Sequence, residues 1–286
     1  MQVGVIMDIS LGIIGGSGVY ELPELKVIEE KKVDTPFGAP SSEMIIGEIN
    51  GHRACFLPRH GKHHQFTPSE VNYRANIFAL KMQGVKNIVS VSAVGSLKEE
   101  WAPEKFVLPS QFIDWTKGKR ARTFFGDGVV AHVSTAQPVD LELRARIAKQ
   151  CTQNEIDFAN CESYLCIEGP QFSSKAESNI YRSFGADIIG MTNVPESYLA
   201  KEAGIAYATV AMVTDYDCWK EEHCTLEEIM KVMKNNNLNA RKLIASLVPD
   251  LVQTPVKVSE SVRESILTNE ERWTDRHKEI ISVLIS

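Results

Sequence analysis

Hydrophobic positions along the chain fall into two rhythms. Apolar runs of strand length occur at "LGII" (11–14), "RACFLP" (53–58), "NIVSVSA" (87–93), "YLCIEG" (164–169), "ADIIGM" (186–191) and "AYATVAMV" (206–213). Between them apolar residues recur at helical spacing. In "FTPSEVNYRANIFALKMQG", Val71, Ala75, Phe78 and Met82 form one stripe. Thr67 is placed as its N-cap, Pro68 at the first helical position, Glu70 as the partner of a capping box and Gly84 as the stop. Thr225 and Glu228 make a second box, opening a helix toward Leu247, while "SSKAESNIYRSFG" and "VPESYLAKEAG" read as short helices ended by Gly185 and Gly204. Val262, Ile266, Trp273, Ile280 and Leu284 predict a C-terminal helix over about 259–286. Strands alternating with helices predict an α/β fold, a single domain with a central mixed, largely parallel sheet flanked by helices. With no linker, repeat or low-complexity tract, 1–286 reads as one domain. Residues 1–10 read as a short extension with Met7 as an alternative start, and "DWTKGKRARTFFGDG" (114–128) as a loop outside the core.

This ordering gathers polar residues at the carboxyl ends of strands. Ser17 follows the first, Arg59 and His60 the second, Ser92 ends the third, Thr192 follows "ADIIGM", and Thr214 and Asp215 follow "AYATVAMV". Open α/β sheets bind ligands along that edge. The first strand runs into Gly15-Gly16-Ser17-Gly18, which is either a plain tight turn or a loop that brings backbone N–H groups to an anion. It is not a dinucleotide fingerprint, because the third glycine position is Glu21, nor a P-loop, because no Lys follows Gly18. The hydroxyls of Ser17, Ser92 and Thr192 with the Arg59 fork would suit a tetrahedral oxyanion. Without a P-loop Lys or a Mg²⁺ carboxylate pair, that ligand reads as free phosphate.

Charge narrows the partners. A net charge of -6 argues against a nucleic-acid surface. No run approaches the ~18 apolar residues of a membrane span, and the N-terminus has no basic, apolar leader. Six cysteines without a C-x-x-C pair read as reduced thiols of a cytoplasmic protein. "RHGKHH" places His60, His63 and His64 close together, which raises a metal-dependent hydrolase as a remote alternative, but no matching Asp/Glu set accompanies them and no metal is expected.

The motifs "GIIGGSG", "VDTPFGAPS", "RHG", "NYRANIFALK", "IEGPQFSSKAES", "GADIIGMT", "PESYLAKEAGI" and "TDYDCW" resemble those of the 5′-methylthioadenosine phosphorylases, within the trimeric purine nucleoside phosphorylase superfamily. The resemblance runs from about Leu11 to Pro249 and, more weakly, beyond. It implies a homotrimer with active sites at subunit interfaces, inorganic phosphate as co-substrate, and no metal or organic cofactor. It assigns phosphate to Ser17, Arg59, His60, Ser92, the Ala93 N–H and Thr192. The ribose is expected at Met191, the purine at Phe172 and Ser173, and the 5′ end near His64, with Thr214 in the substrate set. His132 and Leu284 of a neighbouring subunit would line the methylthio pocket, closed by the Leu226–Met230 stretch. Asp215, with its pKa raised by burial, would protonate N7, and Asp217 would accept from the 6-amino group. A 6-oxopurine presents an acceptor at that corner, so the Asp pair favours adenine. The expected reaction is phosphorolysis of 5′-methylthioadenosine to adenine and 5-methylthioribose 1-phosphate, with a 6-oxopurine nucleoside or methylthioinosine phosphorylase as the alternative.

Overall fold

Strands that are apolar on both faces must be covered on both faces, and they occupy the middle of a nine-stranded sheet in the computed structural model. The structure describes residues 9–16, 18, 20, 22–220, 226–258 and 262–286. β1 (Leu11–Gly15), buried throughout, runs parallel to both β4 (His52–Pro58) and β5 (Asn87–Ser96). β5 continues parallel along β9 (Ala206–Asp215), whose other edge pairs antiparallel with β6 (Phe106–Trp115). β6 lies parallel to β7 (Phe158–Ile167), and β7 to β8 (Ile188–Gly190). β8 returns antiparallel to Gly95 and Ser96 of β5. Five strands therefore close into a ring, β5-β9-β6-β7-β8, and β1, β4, β3 (Met44–Ile49) and β2 (Lys26–Lys31) leave it as an open arm. β2 is the exposed edge, and Lys26, Glu29, Glu30 and Lys31 charge it, which discourages strand addition.

The helices α1 (Tyr73–Met82), α2 (Leu141–Gln153), α3 (Lys175–Ser183), α4 (Asn193–Glu202), α5 (Leu226–Gln253) and α6 (Asp275–Leu284) complete the α/β fold expected from the sequence. Several boundaries differ for local reasons. The Thr67–Glu70 box forms, with the Thr67 N–H donating to Glu70 Oε2 at 2.9 Å, but it closes an isolated turn. α1 starts six residues later, where Asn72 accepts from the Ala75 N–H at 3.2 Å. Met82 consequently sits on the exposed side of the stripe. The C-terminal helix is shorter than its apolar spacing suggested. Single 3₁₀ turns occupy Val262–Ser265 and Glu270–Arg272, and Thr274 with His277 caps α6. α5 passes Leu247 and reaches Gln253, whereas the Thr225 half of its box lies outside the described residues. So do 1–8, although Ile9 and Ser10 are packed, and the Ser10 carbonyl accepts from the N–H groups of Lys86 and Asn87.

The stretch 114–128 is not a surface insertion. Arg120, Phe124 and Phe125 are all buried, and Phe124 packs its ring 5.2 Å from Phe37. Among the described residues no helix is long and apolar enough to cross a membrane.

Candidate active site

A cavity of about 560 Å³ opens where β5 and β9 end side by side. Parallel pairing sets this up: Ser92 lies opposite Ala211 and Gly95 opposite Asp215, so the ends of both strands project the same way. Arg59 and His60 after β4, Ser92 and Ala93 on β5, Met191 and Thr192 after β8, Thr214 and Asp215 at the end of β9 and Asp217 just after it all line the cavity. Phe172, Ser173 and His64 join them from loops, and Gly16 from the turn after β1. Met233 and Asn237 of α5, which sequence reasoning missed, close one wall. Twelve of the residues singled out in the sequence thus meet in one place.

At one end the chemistry suits an oxyanion. Ser17 lies outside the described residues, but its neighbour Gly18 is held at φ 99°. The turn therefore favours glycine conformationally, and a Cβ there would come within 2.8 Å of Asn237 Nδ2, whose side chain would have to turn aside. Arg241 of α5 donates from Nε to the Gly18 carbonyl at 2.8 Å. Thr192 Oγ1 is buried without a hydrogen-bond partner, and the hydroxyl does not cap α4. Ser92 Oγ reaches only Asn193 Oδ1 at 3.3 Å, a long bond that is easily exchanged. His60 shares a hydrogen bond between Nδ1 and the Phe66 carbonyl at 2.9 Å, which fixes that nitrogen as the donor and leaves Nε2 an acceptor. Burial, with the Arg59 charge beside it, lowers the His60 pKa to about 4, so the ring is neutral.

Arg59 departs from expectation. Its fork faces inward, 1% exposed, and grips Glu196 through Nε at 2.7 Å and Nη2 at 3.0 Å. Nη2 also donates to Ser90 Oγ at 2.6 Å and Nη1 to the Val91 carbonyl at 3.1 Å. A guanidinium has five N–H donors, and these bonds leave one, on Nη1, of a residue that lines the cavity. The sequence placed a bidentate fork on the oxyanion; in the fold that fork is spent on Glu196. Burial alone would push the Arg59 pKa down, and the Glu196 carboxylate more than reverses this. Glu196, buried on α4, was not foreseen. The one sequence signal was an acidic residue inside the apolar stretch "VPESYLA".

At the other end two carboxylates stand together. Asp215 accepts from the Asp217 N–H at Oδ1 and from the Thr214 hydroxyl at Oδ2, each at 2.7 Å. The same hydroxyl lies 3.2 Å from the Val94 carbonyl, so it has two alternative acceptors. Asp217 adopts φ 51° and lines the cavity. Burial, reinforced by the adjacent Asp215 charge, raises the Asp217 pKa. A raised carboxyl therefore stands at Asp217, a residue for which no such shift was expected from the sequence. Ser173 Oγ is buried without a partner, while Phe172 is 80% exposed at the rim.

The walls of this half are carried by Arg120, another residue the sequence reading left in a loop. Its Nη1 donates to the Met191 and Val194 carbonyls, each at 2.7 Å, and Nη2 to the Glu168 carbonyl at 2.7 Å. Nε reaches Glu168 Oε1 at 3.2 Å, and the guanidinium lies 5.6 Å from the centre of the Tyr73 ring. Two chain segments, one at Glu168 and one at Met191 and Val194, are thus pinned by one buried cation.

The two residues expected from a neighbouring subunit differ in burial. Leu284 is 1% exposed within the core of its own chain, so it is not offered to a neighbour. His132 is exposed and does not line the cavity of its own chain. His64 does line it, at φ 53° with its ring 4.7 Å from that of His60. Of the Leu226–Met230 stretch, the side chains of Leu226, Glu228 and Ile229 fall outside the described residues, and Met230 is exposed. Among the described residues no group of three or more His, Cys, Asp or Glu side chains could hold a metal ion.

Comparison with known proteins agrees with this geometry. Residues 10–249 match the model of the phosphorylase superfamily. The S-methyl-5′-thioadenosine phosphorylase of Geobacter sulfurreducens is 44% identical over 98% of this chain and 99% of its own, and that of Koribacter versatilis 46% identical over 98% and 96%. A crystal structure of a methylthioadenosine phosphorylase sourced from an antarctic soil metagenomic library superposes with a TM-score of 0.92 at 44% identity, covering 98% of this chain and 100% of that one. The Schistosoma mansoni methylthioadenosine phosphorylase in complex with adenine gives 0.81 at 33% identity, covering 96% and 97%. Closed ring, strand-end cavity and matched sequence lead to one conclusion: the chain belongs to the phosphorylase superfamily.

Proposed function

We infer that this chain catalyses the phosphorolysis of 5′-methylthioadenosine, releasing adenine and 5-methylthioribose 1-phosphate. Full-length similarity to enzymes named for that reaction supports the assignment. The observation that carries it in the molecule itself is a single cavity lined by Ser92, Thr192 and the neutral His60 at one end and by a carboxylate pair at the other.

In this reading phosphate sits between Thr192, Ser92, the Ala93 N–H, the remaining Arg59 N–H and Ser17. His60, neutral with Nε2 as acceptor, takes the hydrogen bond of a phosphate hydroxyl. The nucleoside lies across Met191 with its base between Phe172, Ser173 and the two carboxylates. Phosphate attacks C1′ as the bond to N9 breaks, and its charge stabilises the oxocarbenium-like state because its donors are already in place. The leaving adenine needs a proton on N7. Asp215, beside Asp217, delivers the proton. Thr214 suits that step: its hydroxyl donates to charged Asp215 and can turn to the Val94 carbonyl when Asp215 is protonated. Asp217 accepts from the 6-amino group.

Self-association belongs to the same proposal. Trp115, Ile180 and Phe184 are exposed together on the α3 side, with the Trp115 and Phe184 rings 5.5 Å apart. Apolar surface of this kind is usually covered by a partner. A homotrimer would cover it and would bring His132 to a neighbour's cavity. The buried free cysteines suit a reducing cytoplasm.

The test is base release from 5′-methylthioadenosine and from methylthioinosine, each with and without phosphate. Adenine appearing only with phosphate, and hypoxanthine hardly at all, is the expected result. Preference for the 6-oxo nucleoside would reverse the base assignment, and release without phosphate would make the enzyme a hydrolase.

A further inference from the structure

The Arg59–Glu196 pair poses a question that the reaction alone does not answer. A site built for a phosphate dianion would gain most from an unpaired guanidinium. Here the cation is matched to a carboxylate with two well-made hydrogen bonds, and both partners are buried to 1% exposure. Glu196 is itself anchored. Its Oε1 accepts from the Tyr207 hydroxyl and from Ser90 Oγ, each at 2.8 Å. Ser90 Oγ takes a further bond from Asn193 Nδ2 at 3.3 Å, and Asn193 Oδ1 accepts from Ser92 Oγ at 3.3 Å. A continuous network therefore links Glu196 to both Arg59 and Ser92, two of the groups assigned to phosphate.

We propose that Glu196 is a positioning residue that neutralises Arg59 and restricts it to one N–H toward the phosphate, keeping phosphate affinity low and the attacking oxygen in line with C1′. This rests on the phosphorolysis reading above. Two physical points support it. A guanidinium released from its carboxylate would meet a dianion with its full fork, a stronger and differently oriented contact. Ground-state binding of that kind lowers KM without raising kcat, whereas an in-line pose lowers the barrier. The buried pair thus limits how tightly phosphate is held and fixes where it sits.

Glu196→Gln keeps the side-chain shape and removes the charge. The expected result is a phosphate KM lower by about fivefold or more, because an uncompensated cation now faces the dianion. With it kcat falls by at least about tenfold from loss of the in-line pose, and the nucleoside KM changes little. Phosphate should also raise the Tm of this variant more than that of the parent, since the anion relieves a buried unpaired charge. A purely structural Glu196 would lower Tm while leaving the phosphate KM and the phosphate-induced Tm shift at parental values, and that outcome overturns the proposal. So does a raised phosphate KM. If the single variant does not fold, Arg59→Met with Glu196→Met removes both charges together, a change that buried pairs often tolerate. Its phosphate KM should rise by less than about tenfold, because the pair it replaces is neutral overall. A rise beyond about a hundredfold would show Arg59 acting as a full cation and would sink the idea. Failure of the phosphorolysis reading is distinguishable, because then the parent enzyme itself would release no base in response to phosphate.

Discussion

Asp217→Asn is the sharpest single perturbation of base choice. The substitution keeps the shape and replaces an acceptor with a group that can donate. Three features of the structure say that it should fold. Asp217 sits at φ 51°, a region that Asn enters readily. Its anchoring bond to Asp215 is made by the backbone N–H at 2.7 Å and survives the change. Burial and the Asp215 charge already disfavour a second carboxylate there, so removing one charge relieves repulsion. For the 6-amino substrate the N–H at C6 then faces a donor or turns to the carboxamide oxygen, leaving a buried polar group poorly paired. For the 6-oxo substrate the reverse mismatch is repaired. Each change is worth about 1–2 kcal/mol at a buried site. Their sum, about 2–4 kcal/mol, shifts the ratio of kcat/KM between 5′-methylthioadenosine and methylthioinosine by roughly 30- to 900-fold toward the latter. The assay is parallel phosphorolysis of the two nucleosides at saturating phosphate, with Tm recorded to show that the variant is folded. A ratio that moves less than about threefold in a folded variant would refute the pairing of Asp217 with position 6.

Arg120→Met removes a buried cation that holds the Met191, Val194 and Glu168 carbonyls and leaves the Glu168 carboxylate without its charge partner. It should cost about 3–5 kcal/mol by calorimetry and raise the nucleoside KM more than the phosphate KM. Stability should also fall on acidification through His60. The unfolded imidazole takes up a proton below about 6.5 and the folded one only near 4, so the stability it contributes is complete above 6.5 and is lost as pH falls through 4. Chemical denaturation at a series of pH values should show that decline, and His60→Asn should flatten it. Phe184→Glu places a charge in the exposed Trp115–Ile180–Phe184 patch and should reduce the mass seen by light scattering; an unchanged mass would place the subunit interface elsewhere.

The apolar runs at 11–14, 53–58, 87–93 and 206–213 were legible as strands because they are buried on both faces and carry no competing period. β2 was not, since its residues are largely exposed and charged, and neither was β6, where Pro109 and polar Ser110 and Gln111 interrupt the pattern. Site residues at strand ends could be read because topology delivers them there. Arg120 and Glu196 could not. An arginine in a basic loop and a glutamate in a helix look solvated in sequence, and only the closed fold shows each surrounded by carbonyls or matched to a buried partner. The Thr67–Glu70 box shows the opposite case, a local signal that was correct in its hydrogen bonds and wrong about the element it opened. Leu284 lay at the helical spacing foreseen, but α6 turns that position into its own core.

The closed ring has a consequence for how the protein comes apart. β5, β8 and β9 each carry cavity residues, and each is hydrogen-bonded on both sides within the ring or to β1. No one of them can detach without breaking two ladders, so backbone amides along all three should exchange with deuterium only through global opening, at one shared rate. β2 and β3 at the end of the open arm have no such constraint and should exchange first, through local opening. Activity should therefore survive the loosening of β2 and β3 and vanish in one step with the ring, leaving no partly unfolded form that still binds phosphate but has lost the nucleoside.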